Sequence, residues 1–195
     1  MSVGNSANVL VGPASIRIAP LGTVLPDLTV YPPNWNAAWR LAGFTEKGTD
    51  MDFSASVKDI TVDELRSAVA KVVDTEKGTI SAVLAESTLQ NIYDAIATAT
   101  LGGAIAAGPT NTGSQKVSVG GGALRYVMVA LEGTSPQGFS RVIVGYKALS
   151  EVTVKLGFQR TAPTTVPVQF GLVADTTRAD GDNLFSVTDI QAQHT

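Results

Sequence analysis

Residues 50–57 read DMDFSASV, which puts Met51, Phe53, Ala55 and Val57 on one side of an extended chain and Asp50, Asp52, Ser54 and Ser56 on the other. Alternation of this kind calls for a sheet with one buried and one polar face, and it recurs along the chain. Residues 79–85 (TISAVLA) point Ile80, Ala82 and Leu84 inward. Val152, Val154, Leu156 and Phe158 alternate with Glu151, Thr153, Lys155 and Gly157. Past a turn at Ala162-Pro163-Thr164, Val166, Val168, Phe170 and Leu172 alternate with Pro167, Gln169 and Gly171, so the two runs predict a hairpin.

Other segments add strands. Residues 7–19 are apolar and β-branched, with Gly12-Pro13 marking an edge or a bend. Residues 117–119 and 124–131 flank Gly120-Gly121-Gly122, and Ser135-Pro136-Gln137-Gly138 is a turn into a strand over 139–149. One helix is expected, over 87–99, with Ser87 and Gln90 as a capping box and Leu89, Ile92 and Ile96 on one face. Leu101-Gly102-Gly103 stops it. Its narrow apolar stripe suits the outside of a sheet. Many strands, one helix and no βαβ alternation predict a mainly β fold, a sandwich or barrel carrying a single flanking α-helix.

Some segments resist a regular reading. Pro20, Pro26, Pro32 and Pro33 make 21–36 an extended loop, at whose end Trp35 and Trp39 are expected to anchor the core. Residues 59–75 (DITVDELRSAVAKVVDT) are ambiguous, because Val62, Leu65, Val69 and Val72 also fit a helical stripe. Thr-Glu-Lys-Gly-Thr occurs at 45–49 and again at 75–79, and reads as turn chemistry used twice before a strand. Residues 175–195 form a polar tail with an apolar island at 184–187. A chain of 195 residues fits one domain spanning 1–195, with strands across 7–174.

Composition restricts function more than it restricts fold. Without cysteine there is no disulfide, thiolate metal site or thiol nucleophile, and the one histidine, His194, stands next to the last residue. Histidine-dependent catalysis is therefore not expected. Charged residues make up 16% of the chain, against about 25% in an ordinary soluble domain, which points to surface hidden against copies of itself. The net charge of −3 comes from mixed acids and bases with no basic stripe, so tight nucleic-acid binding is not expected. Neither a signal-peptide pattern nor a run able to enter a bilayer is read, so assembly in a reducing cytoplasm is expected.

Three motifs invite chemistry and are set aside. Gly120-Gly121-Gly122-Ala123 lacks the following Lys-Ser or Lys-Thr of a phosphate loop and reads as a bulge or strand break. In DTTRADGDN (175–183), aligning Gly181 with the glycine of a calcium loop puts Arg178 and Thr176 where oxygen ligands belong, so it is a turn. The carboxylate pairs Asp63-Glu64 and Asp50/Asp52 fit solvated strand faces better than a catalytic cleft. No enzymatic activity, cofactor or metal is expected.

An ordered set of weak motifs carries a resemblance. Trp39 with Gly43-Phe44-Thr45 leads to a Gly48 turn and an alternating strand. Ile60-Thr61-Val62-Asp63 and a 69–73 segment follow, then a strand ending Leu84-Ala85-Glu86 directly before a helix. The last strand, 166–174, and the tail with Leu184-Phe185 complete it. Over roughly residues 39–190 the chain resembles the major tail tube proteins of long-tailed bacteriophages, particularly those with non-contractile tails. Residues 101–115 depart from the family in their Ala and Gly content.

The resemblance implies a β-sandwich that polymerises as stacked hexameric rings, with inner strands of all copies joined into one barrel around a bore for DNA. It makes 59–75 an arm touching neighbouring subunits through Ile60, Val62, Leu65, Val69, Val72 and Val73. It also implies lumen-facing positions at Asp50, Asp52, Ser54, Ser56, Thr79, Ser81, Glu151 and Thr153, with Lys58, Lys77 and Lys155 close by. Implied partners are further copies of the chain, tape-measure, tail-tip and tail-terminator proteins, and DNA passing without tight binding. The implied location is the virion tail. Alternative expectations are the inner tube of a contractile injection system, a capsid decoration protein, or a carbohydrate-binding β-sandwich.

Overall fold

In the computed structural model, residues 12–192 are described. The expected strand residues 7–11 and His194 lie outside that range. Strand β1 is Ser15–Pro20 and the two-residue β2 is Arg40–Leu41. Two long strands follow, β3 at Thr45–Ile60 and β4 at Ala70–Leu84, then helix α1 at Leu89–Ala95. Short strands β5 (Thr100–Leu101) and β6 (Val117–Ser118) pair with each other. The remaining strands are β7 (Tyr126–Thr134), β8 (Ser140–Ser150), β9 (Val166–Leu172) and β10 (Phe185–Asp189). Eight of the strands make one sheet in the order β2-β1-β7-β8-β9-β4-β3, with β10 beside β8 and every pairing antiparallel. The protein is mainly β with one flanking helix, as its alternation predicts.

The sheet curls and forks. Ile16 and Ile18 of β1 share one core with Ile80 and Leu84 of β4, although three strands lie between them in the sheet order, so the sheet folds over on itself. Val129 from β7 and Val166, Val168 and Phe170 from β9 fill the space between, all at most 1% exposed. Each such side chain contributes about 1.5–3 kcal/mol by leaving water. Away from β7, β8 pairs with β10 through Arg141–Gly145 and with β9 through Ala148–Ser150. The fork lies at Tyr146 and Lys147, whose N–H and C=O go to Leu184 O and Val173 N–H.

The opposite face of β7 and β8 is also covered. Met128, Ala130, Val142 and Val144 pack under the 21–39 loop, where Trp39 is buried and Trp35 half-buried, their rings 5.4 Å apart. Each indole N–H has a partner: Trp39 Nε1 donates to Val24 O (2.9 Å) and Trp35 Nε1 to Glu132 Oε2 (3.0 Å). Both tryptophans therefore act as anchors, with their one polar atom satisfied.

Several expectations need correction. The helix is seven residues long, not 87–99, and it ends at a C-cap on Ile96, well before Gly102. Its N-cap is Thr88, whose Oγ1 accepts from the Asn91 N–H at 3.1 Å, so Ser87 does not cap it. The buried residues of the helix are Asn91, Asp94 and Ala95, while Leu89, Ile92 and Ile96, expected on the packed face, are half-buried. Asn91 Nδ2 donates to Ala42 O (2.9 Å) and Glu86 O (2.8 Å), pinning the helix to the body through polar bonds as well as through Ile92.

Residues 151–158 are not a strand. After the Glu151 N–H bonds Gln169 O the segment leaves the ladder, although Val152, Val154 and Leu156 still pack on the core. Phe158, expected inward, is 88% exposed. Strand β6 stops before Val119, and β7 begins after Leu124. The glycine run between them is a break in which a Cβ on Gly122 would stand 2.3 Å from Thr98 O. The apolar island of the polar tail forms β10. Both Thr-Glu-Lys-Gly-Thr copies lie inside strands and not before them: Gly48 (φ +86) sits in a bulge of β3, and Gly78 is an ordinary ladder residue of β4.

Candidate functional site

The β3–β4 hairpin outruns the body of the protein. From Met51↔Ile80 toward Thr45 it rests on the core, Phe53↔Gly78 marks the edge with Gly78 buried against Leu172, and from Ser54↔Lys77 to Ile60↔Ala70 both strands stand away from it. Seven residues of β3 beyond the core edge amount to about 23 Å of two-stranded ribbon. The core-facing alternation of residues 50–57 thus delivers Met51 to the core but leaves Phe53 at 49% and Val57 at 57% exposure, contrary to the expectation that all four would be buried. The Phe53 ring meets the Phe185 ring edge-on at 5.5 Å.

A β-bulge changes which residues share a face. Ser56 pairs with Thr75 but Val57 pairs with Val73, so Asp74 is the extra residue. Toward the tip, Val57 and Val73 stand opposite each other on the side that continues the core face. Val72 comes level with Lys58 on the polar side, and the Asp59–Lys71 pair closes the ribbon at 2.7 Å. Beyond Ile60 the chain turns through Leu65 N–H to Val62 O (3.2 Å) and Val69 N–H to Ile60 O (2.9 Å). The helical alternative for Val62, Leu65, Val69 and Val72 is not what forms. All six arm candidates, Ile60, Val62, Leu65, Val69, Val72 and Val73, are exposed.

The structure gathers most of the polar set on one surface. Asp50 pairs with Ser81, Asp52 with Thr79, Ser54 with Lys77 and Ser56 with Thr75, all on the face of β3–β4 away from the core. The Ser56 and Thr75 hydroxyls are 2.6 Å apart. One strand further on, Thr79 and Ser81 pair with Gly171 and Gln169 of β9. Glu151 lies over Gly171, where a Cβ would come within 2.5 Å of its carboxyl carbon, so its carboxylate joins the same surface. Thr153 is exposed on the segment that has left the ladder, and Lys155 is exposed two residues further along it. Lys58 and Lys77 stand on the acids' own face. The surface is polar and of mixed sign, and among the described residues no cluster of three or more His, Cys, Asp or Glu is suited to a metal ion.

Charged pairs elsewhere serve the fold. Arg141 and Asp189 are cross-strand partners joined by two bonds, Nε to Oδ1 at 2.6 Å and Nη2 to Oδ2 at 2.7 Å. These hold the Asp189 carboxyl below the usual carboxylate range. Tyr146 donates to Asp182 at 2.7 Å beneath the Arg178 guanidinium, and burial raises the phenol's pKa.

A second cluster escaped the sequence reading. Asp94 of the helix, its side chain 5% exposed, lies between Arg40 of β2 and Arg125 just before β7. Its members are 31 and 54 residues apart along the chain. The one local sign was Gln90, four residues before Asp94, whose Nε2 stands 3.4 Å from each carboxylate oxygen.

No helix among the described residues is long and apolar enough to cross a membrane. No protein-family model matches the chain, and no curated protein matches it.

Proposed function

We propose that this protein is a non-enzymatic structural subunit that polymerises as stacked hexameric rings into a tube, the tail tube of a long-tailed bacteriophage. The observation that carries the reading is the β3–β4 arm. A two-stranded ribbon with Val57, Val72 and Val73 exposed lies off the core among the described residues and has much to bury against another copy. The ordered resemblance over residues 39–190 supplies the kind of assembly.

Two further features support it. Strand β3 is 16 residues long and ends the sheet, an open edge that favours pairing with a neighbouring chain. The polar face of β3, β4 and β9 mixes hydroxyls, acids and the cations Lys58 and Lys77 without a basic stripe, which suits a bore through which DNA slides without being held. In this reading Asp50, Asp52, Ser54, Ser56, Thr79, Ser81, Glu151 and Thr153 face the lumen. Tape-measure, tail-tip and terminator proteins are the other tail partners, and the protein resides in the virion after assembly in the host cytoplasm. Electron microscopy of the purified protein tests the reading. Tubes with a central bore are expected, and a chain that stays monomeric at high concentration with a tail-tip initiator present overturns it.

A further inference from the structure

A cavity of about 380 Å³ opens between the end of β1, the start of β7 and helix α1, and its lining joins an apolar floor to the Arg40–Asp94–Arg125 cluster. Arg40 gives one N–H to Leu41 O (3.1 Å) and one to Asp94 Oδ2 (2.5 Å). Arg125 gives one to Tyr93 O (2.7 Å) and a long one to Asp94 Oδ1 (3.4 Å), while its buried Nε has no partner. A guanidinium has five donors, so about three on each arginine are unused. Two cations against one buried carboxylate leave the cavity with a surplus positive charge. Ile18, Leu21 and Val127 supply the floor.

Such a lining takes a carboxylate flanked by apolar side chains, since the fork of Arg recognises carboxylate and the floor rewards burial. The tip of the arm has that chemistry. Val62-Asp63-Glu64-Leu65 sets two acids between two apolar residues, all exposed, so the tip does not fill the cavity of its own chain. With Arg66 beside them the tip carries a surplus negative charge, opposite to that of the cavity.

We infer that the Val62–Leu65 tip of one copy docks in the Arg40–Arg125 cavity of another. The inference rests on the tube reading and names the receptor of the arm. Arg125 and Arg40 take the Asp63 and Glu64 carboxylates, and Val62 and Leu65 cover the floor.

The absence of cysteine makes the test free of background. A full-length chain carrying Glu64→Cys and Ala38→Cys, the latter on the cavity wall, keeps Asp63 for the arginines. On mild oxidation of assembled protein it is expected to form inter-protomer disulfides, seen as a ladder on a non-reducing gel. Glu64→Cys with Asp180→Cys, on the turn before β10, is expected to give at least tenfold less. Asp63→Lys with Glu64→Lys is expected to raise the concentration needed for assembly at least tenfold while the melting curve of the chain stays unchanged. Tubes that form without the ladder overturn the docking and leave the tube reading standing. A parent chain that never assembles overturns both. Protection of the Ala38→Cys thiol by short duplex DNA, and not by assembly, assigns the cavity to phosphate and overturns the docking.

Discussion

Leu172 rests directly on the bare backbone of Gly145: a Cβ built on Gly145 would stand 2.6 Å from Leu172 Cδ2. The other methyl, Cδ1, is likewise 2.8 Å from where a Cβ on Gly78 would be. One leucine of β9 therefore fills the space that glycines on β8 and β4 leave open, at the point where the sheet closes over its core.

Gly145→Ala forces Leu172 off its position, and with Ile80 Cδ1 only 3.6 Å from the new Cβ it is expected to destabilise the chain by about 1–3 kcal/mol. Leu172→Ala alone is expected to cost about 2–5 kcal/mol through the cavity it leaves. Combined, the two are expected to cost less than their sum, because each relieves the other. Urea melts of the three variants measure the coupling, and strict additivity would separate the two sites.

Thr88→Ala is expected to cost about 1 kcal/mol, since it removes the acceptor for the Asn91 N–H. Ser87→Ala, one residue earlier, is expected to change stability by less than about 0.5 kcal/mol. A larger loss for Ser87→Ala than for Thr88→Ala in thermal melts would return the cap to Ser87.

The Arg141–Asp189 pair ties β10 to β8 and gives stability a definite pH dependence. The folded carboxyl titrates below its unfolded value, so its contribution is complete above the unfolded value and is lost as pH falls through the folded one. Asp189→Asn lacks the charge at every pH. The gap in melting temperature between parent and variant is expected to be constant above about pH 5 and to close as pH is lowered past the usual aspartate value near 4. A gap that persists into strong acid would show the charge to be irrelevant.

Alternation made the strands legible but not what covers them. In residues 50–57 it separates two faces correctly, yet nothing in DMDFSASV tells Met51, on the core, from Val57, 57% exposed on the arm. The difference arises because β9 spans only seven residues and runs out where β4 continues. The same short strand explains β10. Since β9 takes only Ala148–Ser150 of β8, the stretch Arg141–Gly145 has a free edge, and the weak apolar island after residue 183 fills it. The Thr88 cap was hidden by a second hydroxyl beside it, and the bulge at Asp74 by the regular pattern on both sides. The Arg40–Asp94–Arg125 cluster exists only once the helix packs against the strands.

The exposed valines of the arm allow folding to be separated from assembly. Val73→Asp and Val72→Asp alter side chains that are 60% and 45% exposed, so neither is expected to move the monomer's melting point by more than about 1 °C. Burying either carboxylate in a subunit contact without a partner costs several kcal/mol, so both are expected to abolish tubes in sedimentation and microscopy. Loss of the monomer fold would instead make the arm part of the core.

The polar face gives the sharpest test of which surface meets DNA. Asp50 and Asp52 stand opposite Ser81 and Thr79, away from the core, so Asp50→Lys with Asp52→Lys leaves packing untouched and the monomer is expected to fold and form tubes. If that face lines the bore, a ring of six such subunits presents twelve new cations to a duplex that carries one negative charge per ~1.7 Å. Lys77 and Lys58, already on this face, would then be offset by fewer acids, Glu151 among those that remain. Genome ejection from particles with otherwise normal tails is expected to slow or stall, and added salt to restore it, because each phosphate contact weakens as counterions are supplied. Ejection at the parent rate in low salt would put Asp50 and Asp52 on the outside of the tube and turn the opposite face of the sheet toward the bore.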